Sequence, residues 1–525
     1  MPQRHVVVLS DLHLWQTTDS EELWMLYRHR RFQPDAQLAR LFSLLCERIP
    51  PGQLDLVLNG DIFDFDVPPI CAGKPQHARS PRDEPSAVER MRDILADHSG
   101  FILALANVLL SRHRVIFVIG NHDIQLQFSG VRALLRQQVM SACRVLDERR
   151  TAADLSELSE RIEFHRWFYR SPLGIHIEHG QQYDPFCSVS DPVWPFHVDG
   201  RLYNTVGTLV IEHVIGRLGY FNPNVERSYL LTTRQYLDHW LRYYWRSPRS
   251  LLRTFFFGAA RILIELLAEN GLVGRGPRDP ALQPADEAAH ASLFAHWDVR
   301  ATLRILRLDR MLLTLGLLLA AALLLLSPVA GLCAALLIVG VYRSIYPKRS
   351  HELAEISEET QRAARRIARI YGSRAVIFGH SHEASGHFEA GVFYGNSGTW
   401  VPMHHDIACT MAVEPSRPLI WLYEQGGVLQ GGLYRVQGGQ LSVTTGIHPL
   451  PHGDDTITRP SPPADSALSA APWCSAASAS GSAAPSAPSA PSAPAATAVP
   501  SRPQSHPSGL TGRVQPAKQA VLDRV

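Results

Sequence analysis

At 525 residues the chain is long enough for several ordinary domains, or for one large α/β unit with insertions. Hydrophobic residues make up 45% and charged residues 19%, a globular balance that excludes a wholly disordered protein. The 51 basic and 49 acidic residues nearly cancel, so bulk charge gives no argument for nucleic acid, and no such partner is expected.

The N-terminal third alternates strand and helix. His5–Ser10 reads as a buried strand and Asp35–Arg48 as a helix with Leu38, Leu41, Phe42, Leu44 and Leu45 on one face. Leu54–Asn59 is the next strand, Val88–Ser111 a long helix, Arg114–Ile119 a third strand and Ile175–Glu178 another. Such alternation predicts βαβ units and a largely parallel sheet, whose ligands bind at the carboxyl ends of strands. Four clusters of polar residues fall at those ends: Asp11-Leu12-His13, Gly60-Asp61-Ile62-Phe63-Asp64, Gly120-Asn121-His122-Asp123 and His179-Gly180. The run Val6–Leu9 is too short for a secretory h-region of roughly 7–15 residues, so the catalytic part is expected in the cytosol. Seven scattered cysteines without a C-x-x-C suit reduced thiols in that compartment.

From about 185 to 370 the character changes. Trp194, Phe196, Tyr229, Tyr236, Trp240 and Tyr243–Trp245 crowd together, and Leu251–Leu267 mixes phenylalanines and isoleucines with Arg249, Arg253 and Arg261. This pattern suits either a membrane surface or an ordinary core helix. Met311–Leu326 carries no charge, Ser327-Pro328 interrupts it, and Val329–Tyr342 is apolar again. The segment is a single bent span, a membrane hairpin, or a helical hairpin buried in protein. Arg304, Arg307 and Arg310 precede it and Arg343, Lys348 and Arg349 follow, as expected if both flanks face the cytosol.

A polar helix is expected at 351–371. The strand Arg374–Phe378 then leads to a fifth cluster, Gly379-His380-Ser381-His382. If His179 and the pair His380 and His382 share one site, the segment between them crosses a membrane an even number of times, which favours the hairpin. Short runs at Gly391–Tyr394, Cys409–Val413, Pro418–Glu424, Gly432–Val436 and Leu441–Thr445 read as antiparallel strands that finish a sheet. From about Asp454 the Ser/Ala/Pro-rich tail has little to bury and is expected to be disordered. The expected organisation is a core at 1–184, a helical insertion at 185–372, core completion at 373–450 and a tail at 451–525.

Carboxylates, an amide oxygen and imidazoles suit a pair of divalent first-row metals. A group bridging two ions must offer two oxygens, which Asp61 can; Asp64 is placed to accept from a ligand histidine. In this order the five clusters resemble the blocks of calcineurin-like metallophosphoesterases: D-x-H, G-D-x-x-D, G-N-H-D/E, H and G-H-x-H, with Gly395-Asn396-Ser397-Gly398-Thr399 a further match. The resemblance covers about 5–180 and 374–400 and implies an α/β sandwich of two mixed β-sheets flanked by helices. It also implies that Asp11, His13 and His382 hold one metal, that Asn121, His179 and His380 hold the other, and that Asp61 bridges them. His122 would approach the phosphate and Asp123 would orient His122. Manganese is expected, with iron, cobalt and zinc also suited to the donors.

Asp64 stands where purple acid phosphatases have tyrosine, and Phe65 and Asp123 depart from the serine/threonine phosphatase blocks. The G-D-x-F-D form is similar to UDP-2,3-diacylglucosamine hydrolases, bacterial enzymes acting on a nucleotide–lipid pyrophosphate at the inner membrane. The expectation is therefore a two-metal phosphoester or pyrophosphate hydrolase on the cytosolic face of a membrane, held there by residues 185–345, with a lipid-linked phosphorylated substrate. The alternatives are a soluble-nucleotide phosphodiesterase or phosphatase merely anchored to the membrane, and a non-catalytic scaffold.

Overall fold

The computed structural model describes residues 4–446 apart from 24, 72–73, 76–78, 217–256, 267–283, 296–302, 304–307, 346–351, 405, 407, 413–416 and 438–439. The expected aromatic cluster at Tyr229–Trp245, the arginines at 249, 253, 304 and 307, the basic pair Lys348 and Arg349, and the expected disordered tail all lie outside the described residues.

Among the described residues, fourteen strands form three sheets. The larger sheet runs β14(Gln440–Gly446)-β13(Val428–Gln437)-β12(Pro418–Gln425)-β1(His5–Leu9)-β2(Leu54–Asn59)-β5(Arg114–Val118)-β6(Ile162–His165). Strands β1, β2, β5 and β6 are parallel, and β12 joins β1 antiparallel. The second sheet runs β10(Ser385–Glu389)-β11(Val392–Asn396)-β9(Ala375–Phe378)-β8(Ile175–Glu178)-β7(Phe168–Arg170), with β8, β9 and β11 parallel. A small hairpin, β3(Ile70–Cys71) and β4(Lys74–Pro75), stands apart.

Period-2 alternation decides which side chains meet which layer. Val6, Val8, Val57, Ile116 and Val118 point inward against Ile175, Ile177, Ile377 and Phe393 of the second sheet, filling the sandwich. Val7, Leu9, Leu56, Leu58, Val115 and Phe117 point outward against helices α1(Asp35–Arg48), α2(Glu84–Asp97), α3(Ser99–Leu110) and α4(Ser129–Leu146). Being buried on both faces, these strands read as continuous apolar runs. On the far side Val376, Phe378 and Tyr394 pack under Ala363, Ala364, Ile367 and Ala368 of a long helix, Glu352–Tyr371. Two mixed sheets flanked by helices fit the expected α/β metallophosphoesterase architecture.

Three expectations change. The helix expected at Val88–Ser111 is two helices, α2 and α3, meeting at 87°. His98 between them takes a non-helical backbone, and its buried ring is claimed from both sides, by Asp35 Oδ2 at 2.8 Å and Trp15 O at 2.9 Å. Cys409–Ala412 is not a strand: the Asp406 carboxylate accepts from the backbone amides of Thr410 and Met411 and folds the chain into a turn. Val413 is outside the described residues. The run at Gly391–Tyr394 belongs to β11, which pairs parallel to β9 in the other sheet.

The remaining α-helices with named bounds among the described residues are α5(Ala152–Glu160), α6(Val206–Val210), α7(Ala285–Ala291), α8(Leu308–Leu326), α9(Pro328–Ile345) and α10(Glu352–Tyr371). Residues 257–266 are also helical; Ala259, Ile262 and Leu266 pack on Val206 and Leu209, while Phe257 and Ile264 stay exposed. Helices α8 and α9 break at Ser327 and fold back on each other. Asp309 accepts a 2.9 Å hydrogen bond from Tyr342, and a Cβ at Gly331 would overlap Leu324. Both are long and apolar enough to cross a membrane, and almost none of either is buried. They extend beyond the expected arms, to 19 and 18 residues, or about 28 Å each at 1.5 Å per residue.

Candidate metal centre

Five strands, parallel within their own sheets, deliver the clusters to one place. Asp11 and His13 follow β1, Asp61 and Asp64 follow β2, Asn121 to Asp123 follow β5, His179 follows β8, and His380 and His382 follow β9. The two sheets thus contribute facing sets of loops at their carboxyl ends. Asp11, His13, Asp61, His380 and His382 account for half of the ten described non-glycine residues with positive φ. That region costs a side chain of order 1–3 kcal/mol and persists only where the surroundings enforce it. Gly60 makes the same turn at φ +77, and its missing side chain is what leaves room for the His179 ring. Gly120 is needed for space alone: a Cβ there would overlap Asp61 Oδ1.

The ligand atoms converge in overlapping groups: Asp11, His13 and His382; His13, Asp61 and His122; and Asp61, His179 and His380, each set lying within 4.8 Å. Asp11 Oδ1 is 3.1 Å from His382 Nε2, and His13 Nε2 is 3.2 Å from His382 Nε2. Asp61 Oδ2 is 3.0 Å from His179 Nε2 and 3.8 Å from His13 Nε2, between the two groups. Among the described residues, no hydrogen bond reaches the buried Asn121 Oδ1.

Hydrogen bonds on the outer side set the tautomers. His179 Nδ1 donates to the Asn59 carbonyl at 2.9 Å, which leaves the Nε2 lone pair facing the Asp61 carboxylate. Two lone pairs at 3.0 Å are favourable only with a cation between them, whether a proton or a metal ion. Burial opposes charge on His179, but Asp61 and Asp11 raise its pKa to about 9. The same opposition holds at Asp61, where burial is outweighed by His179 and His122 and the carboxyl titrates well below its ordinary range. His13 Nδ1 meets Asp64 Oδ2 at 3.3 Å, and His380 Nε2 meets Asp184 Oδ2 at 3.0 Å, leaving His380 Nδ1 without a hydrogen-bond partner among the described residues. Mixed carboxylate, amide and imidazole donors with bare lone pairs turned inward fit divalent cations.

His122 adjoins this set. Its backbone N–H donates to Asp61 Oδ1 at 2.8 Å, and its Nδ1 is 3.4 Å from both Asp64 Oδ1 and Asp66 Oδ2. Burial would lower its pKa, yet the charges of Asp64 and Asp61 hold it well above the ordinary imidazole value. The acids beside the His122 ring are Asp64 and Asp66 rather than the expected Asp123. Asp123 instead accepts from the backbone N–H groups of Gly120, at 2.7 Å, and Ile62, at 2.8 Å, tying the second cluster to the third.

Asp66 and Asp184 were not singled out in the sequence. Asp66 sits two residues past Asp64, and Asp184 follows His179 across the turn Gln181–Tyr183, so proximity to a cluster was their only signal. The block at 395–399 braces the site: Asn396 Nδ2 donates to Gly379 O at 2.6 Å, and Thr399 Oγ1 donates to Asp11 O at 2.8 Å.

Residues 4–207 match the calcineurin-like phosphoesterase family. This protein carries a metallophosphoesterase domain. It is a hydrolase acting on phosphoester bonds. His380 and His382 lie beyond the matched stretch, and the second sheet of the metallophosphoesterase brings them back to it. No curated protein matches the chain.

Proposed function

We propose that this metallophosphoesterase uses two divalent ions, manganese foremost, to hydrolyse a phosphoester or pyrophosphate bond of a lipid-linked substrate at the cytosolic face of a membrane. Asp11, His13 and His382 would hold one ion, Asn121, His179 and His380 the other, and Asp61 would contact both. When bound, the ions would supply Lewis acidity to phosphoryl oxygens and lower the pKa of water. The chain's own residues do the rest. His122, with Nδ1 held by Asp64 and Asp66, keeps Nε2 for a phosphoryl or leaving-group oxygen and carries the proton it would donate. Asp64, Asn59 O and Asp184 fix the ring orientation of His13, His179 and His380.

The observation that carries the membrane part is the exposure of α8 and α9. Leu325, Leu326 and Val329 at the turn between them are 88%, 85% and 74% exposed. An apolar hairpin of this size in water has no ordinary explanation in a soluble monomer. At about 28 Å its arms approach the roughly 30 Å hydrocarbon thickness. Its antiparallel packing puts the flanking Arg310 and Arg343 on one side, as the positive-inside tendency favours. The motif form of Gly60–Asp64 supports a substrate like that of UDP-2,3-diacylglucosamine hydrolases.

The test is a substrate panel with Mn(II) on the full chain: UDP-diacylglucosamine, phosphatidyl monoesters and cyclic nucleotides, beside detergent-free fractionation. Turnover of a lipid-linked substrate by a membrane-bound protein is expected. Turnover of soluble nucleotides alone, undiminished by deletion of residues 311–342, would replace this reading with an anchored nucleotide phosphodiesterase.

A further inference from the structure

Behind the catalytic loops lies a second cluster of metal-ligating side chains that the hydrolase centre does not use. His176 and Glu178 project from β8, and His290 comes from α7, more than a hundred residues later; all three are buried and their ligand atoms lie within 4.8 Å of one another. Glu178 Oε2 is 3.2 Å from His290 Nε2 and 3.5 Å from His176 Nε2. Tyr183 Oη is 2.7 Å from His290 Nε2 and hydrogen-bonds Glu178 Oε1.

Hydrogen bonding alone answers only part of this cluster. The Tyr183 hydroxyl has one hydrogen, which goes to Glu178 Oε1, and His290 Nδ1 is 3.3 Å from the Tyr371 hydroxyl. Among the described residues, no hydrogen bond of good geometry reaches either nitrogen of His176 or Oε2 of Glu178. Leaving such atoms bare in an interior walled by Trp167, Phe168 and Tyr371 is unfavourable. A cation shared by His176 Nε2, His290 Nε2 and Glu178 Oε2 satisfies two of the three bare atoms at once. The two Glu178 spacings, 3.2 and 3.5 Å, agree with tetrahedral zinc, whose bonds of about 2.0–2.1 Å set ligand atoms about 3.3 Å apart.

We infer that His176, Glu178 and His290 form a buried structural site for a single divalent ion of the zinc class, braced by the hydrogen bond from Tyr183 to Glu178. With His176, Glu178, His290 and Tyr183 all buried away from solvent, the ion would serve structure rather than catalysis. Its effect is mechanical. The ion clamps α7, from the segment after residue 185, onto the strand whose next residue is the catalytic-centre His179.

Metal analysis of the full-length protein tests this separately from the hydrolase centre. Asp61→Ala, dialysed against a chelator, is expected to lose the catalytic ions yet keep one zinc per chain. Adding His290→Ala should remove that last equivalent and lower the thermal midpoint. Should that variant fold poorly, His290→Cys with Co(II) is expected to show a thiolate-to-cobalt charge-transfer band. A dialysed Asp61→Ala protein without metal overturns the site, as does an unchanged count after His290→Ala or a Co(II) spectrum with no thiolate band.

Discussion

His13 Nε2 and His382 Nε2 face each other at 3.2 Å across 369 residues of sequence. Their approach shows the fold converging ligands from both sheets, and it makes the outer contact of His13 consequential. Asp64 holds His13 Nδ1 and so points the other nitrogen inward. Asp64→Asn should therefore weaken Mn(II) binding and activity by about 10–100-fold without unfolding the protein. Calorimetric titration of metal-free protein, beside kcat, checks this; unchanged affinity would show that Asp64 does not orient the ring.

Gly120→Ala separates space from flexibility. The backbone there needs no unusual conformation, but a Cβ would press on Asp61 Oδ1 and on the Asp61 backbone nitrogen. The methyl can be accommodated only by moving the carboxylate that stands between the two ligand groups. Loss of metal and of activity is expected, by about 100-fold or more, as for a ligand displaced by an ångström. Far-UV circular dichroism should stay that of the parent.

Much of this was legible because the strands are buried on both faces. Val6–Leu9, Leu56–Leu58 and Val115–Val118 read as apolar runs, and each polar cluster marked a strand end. His98 was opaque: a histidine in an otherwise helical pattern gives no sign that Asp35 and Trp15 will claim its ring and turn the chain. The same limit hid Asp66 and Asp184, whose roles depend on approaches between loops, and misdirected Asp123, whose partners are backbone amides. The His176–Glu178–His290 cluster had no motif because α7 is fixed only by tertiary packing.

His113 should make the protein sensitive to mild acid. Its ring is buried, and among the described residues neither nitrogen has a hydrogen-bond partner. Burial, with Arg161 nearby, lowers its pKa to about 4. The unfolded chain takes up a proton near pH 6.5 and the folded one only near 4, so stability is lost as pH falls through that window. The loss at pH 5 is about 2 kcal/mol from this residue. Urea unfolding at pH 7 and pH 5 should show His113→Leu losing less stability between the two than the parent does. Equal losses would mean that His113 is charged in the fold.

Asp55 offers a stability effect free of the active site. Its buried carboxylate accepts from Arg4 Nε at 3.0 Å and Nη2 at 2.9 Å, from Arg114 Nη1 at 3.0 Å and from Tyr169 Oη at 3.1 Å. These bonds tie Arg4, just before β1, to strands β2 and β5 and to strand β7 of the opposite sheet. Asp55→Asn keeps the shape and removes the charge, and the amide nitrogen would face donors on both sides. Hydrogen bonds to charged groups contribute about 1.5–3 kcal/mol, and both arginines can regain water, so a loss of about 2–3 kcal/mol is expected. Asp55 lies at the opposite end of β2 from Asp61, about 20 Å away at 3.3 Å per residue. The urea midpoint should therefore fall while kcat and Mn(II) affinity at 25 °C hold. A coupled fall in kcat would mean that the sheet transmits strain along β2 to the metal ligands.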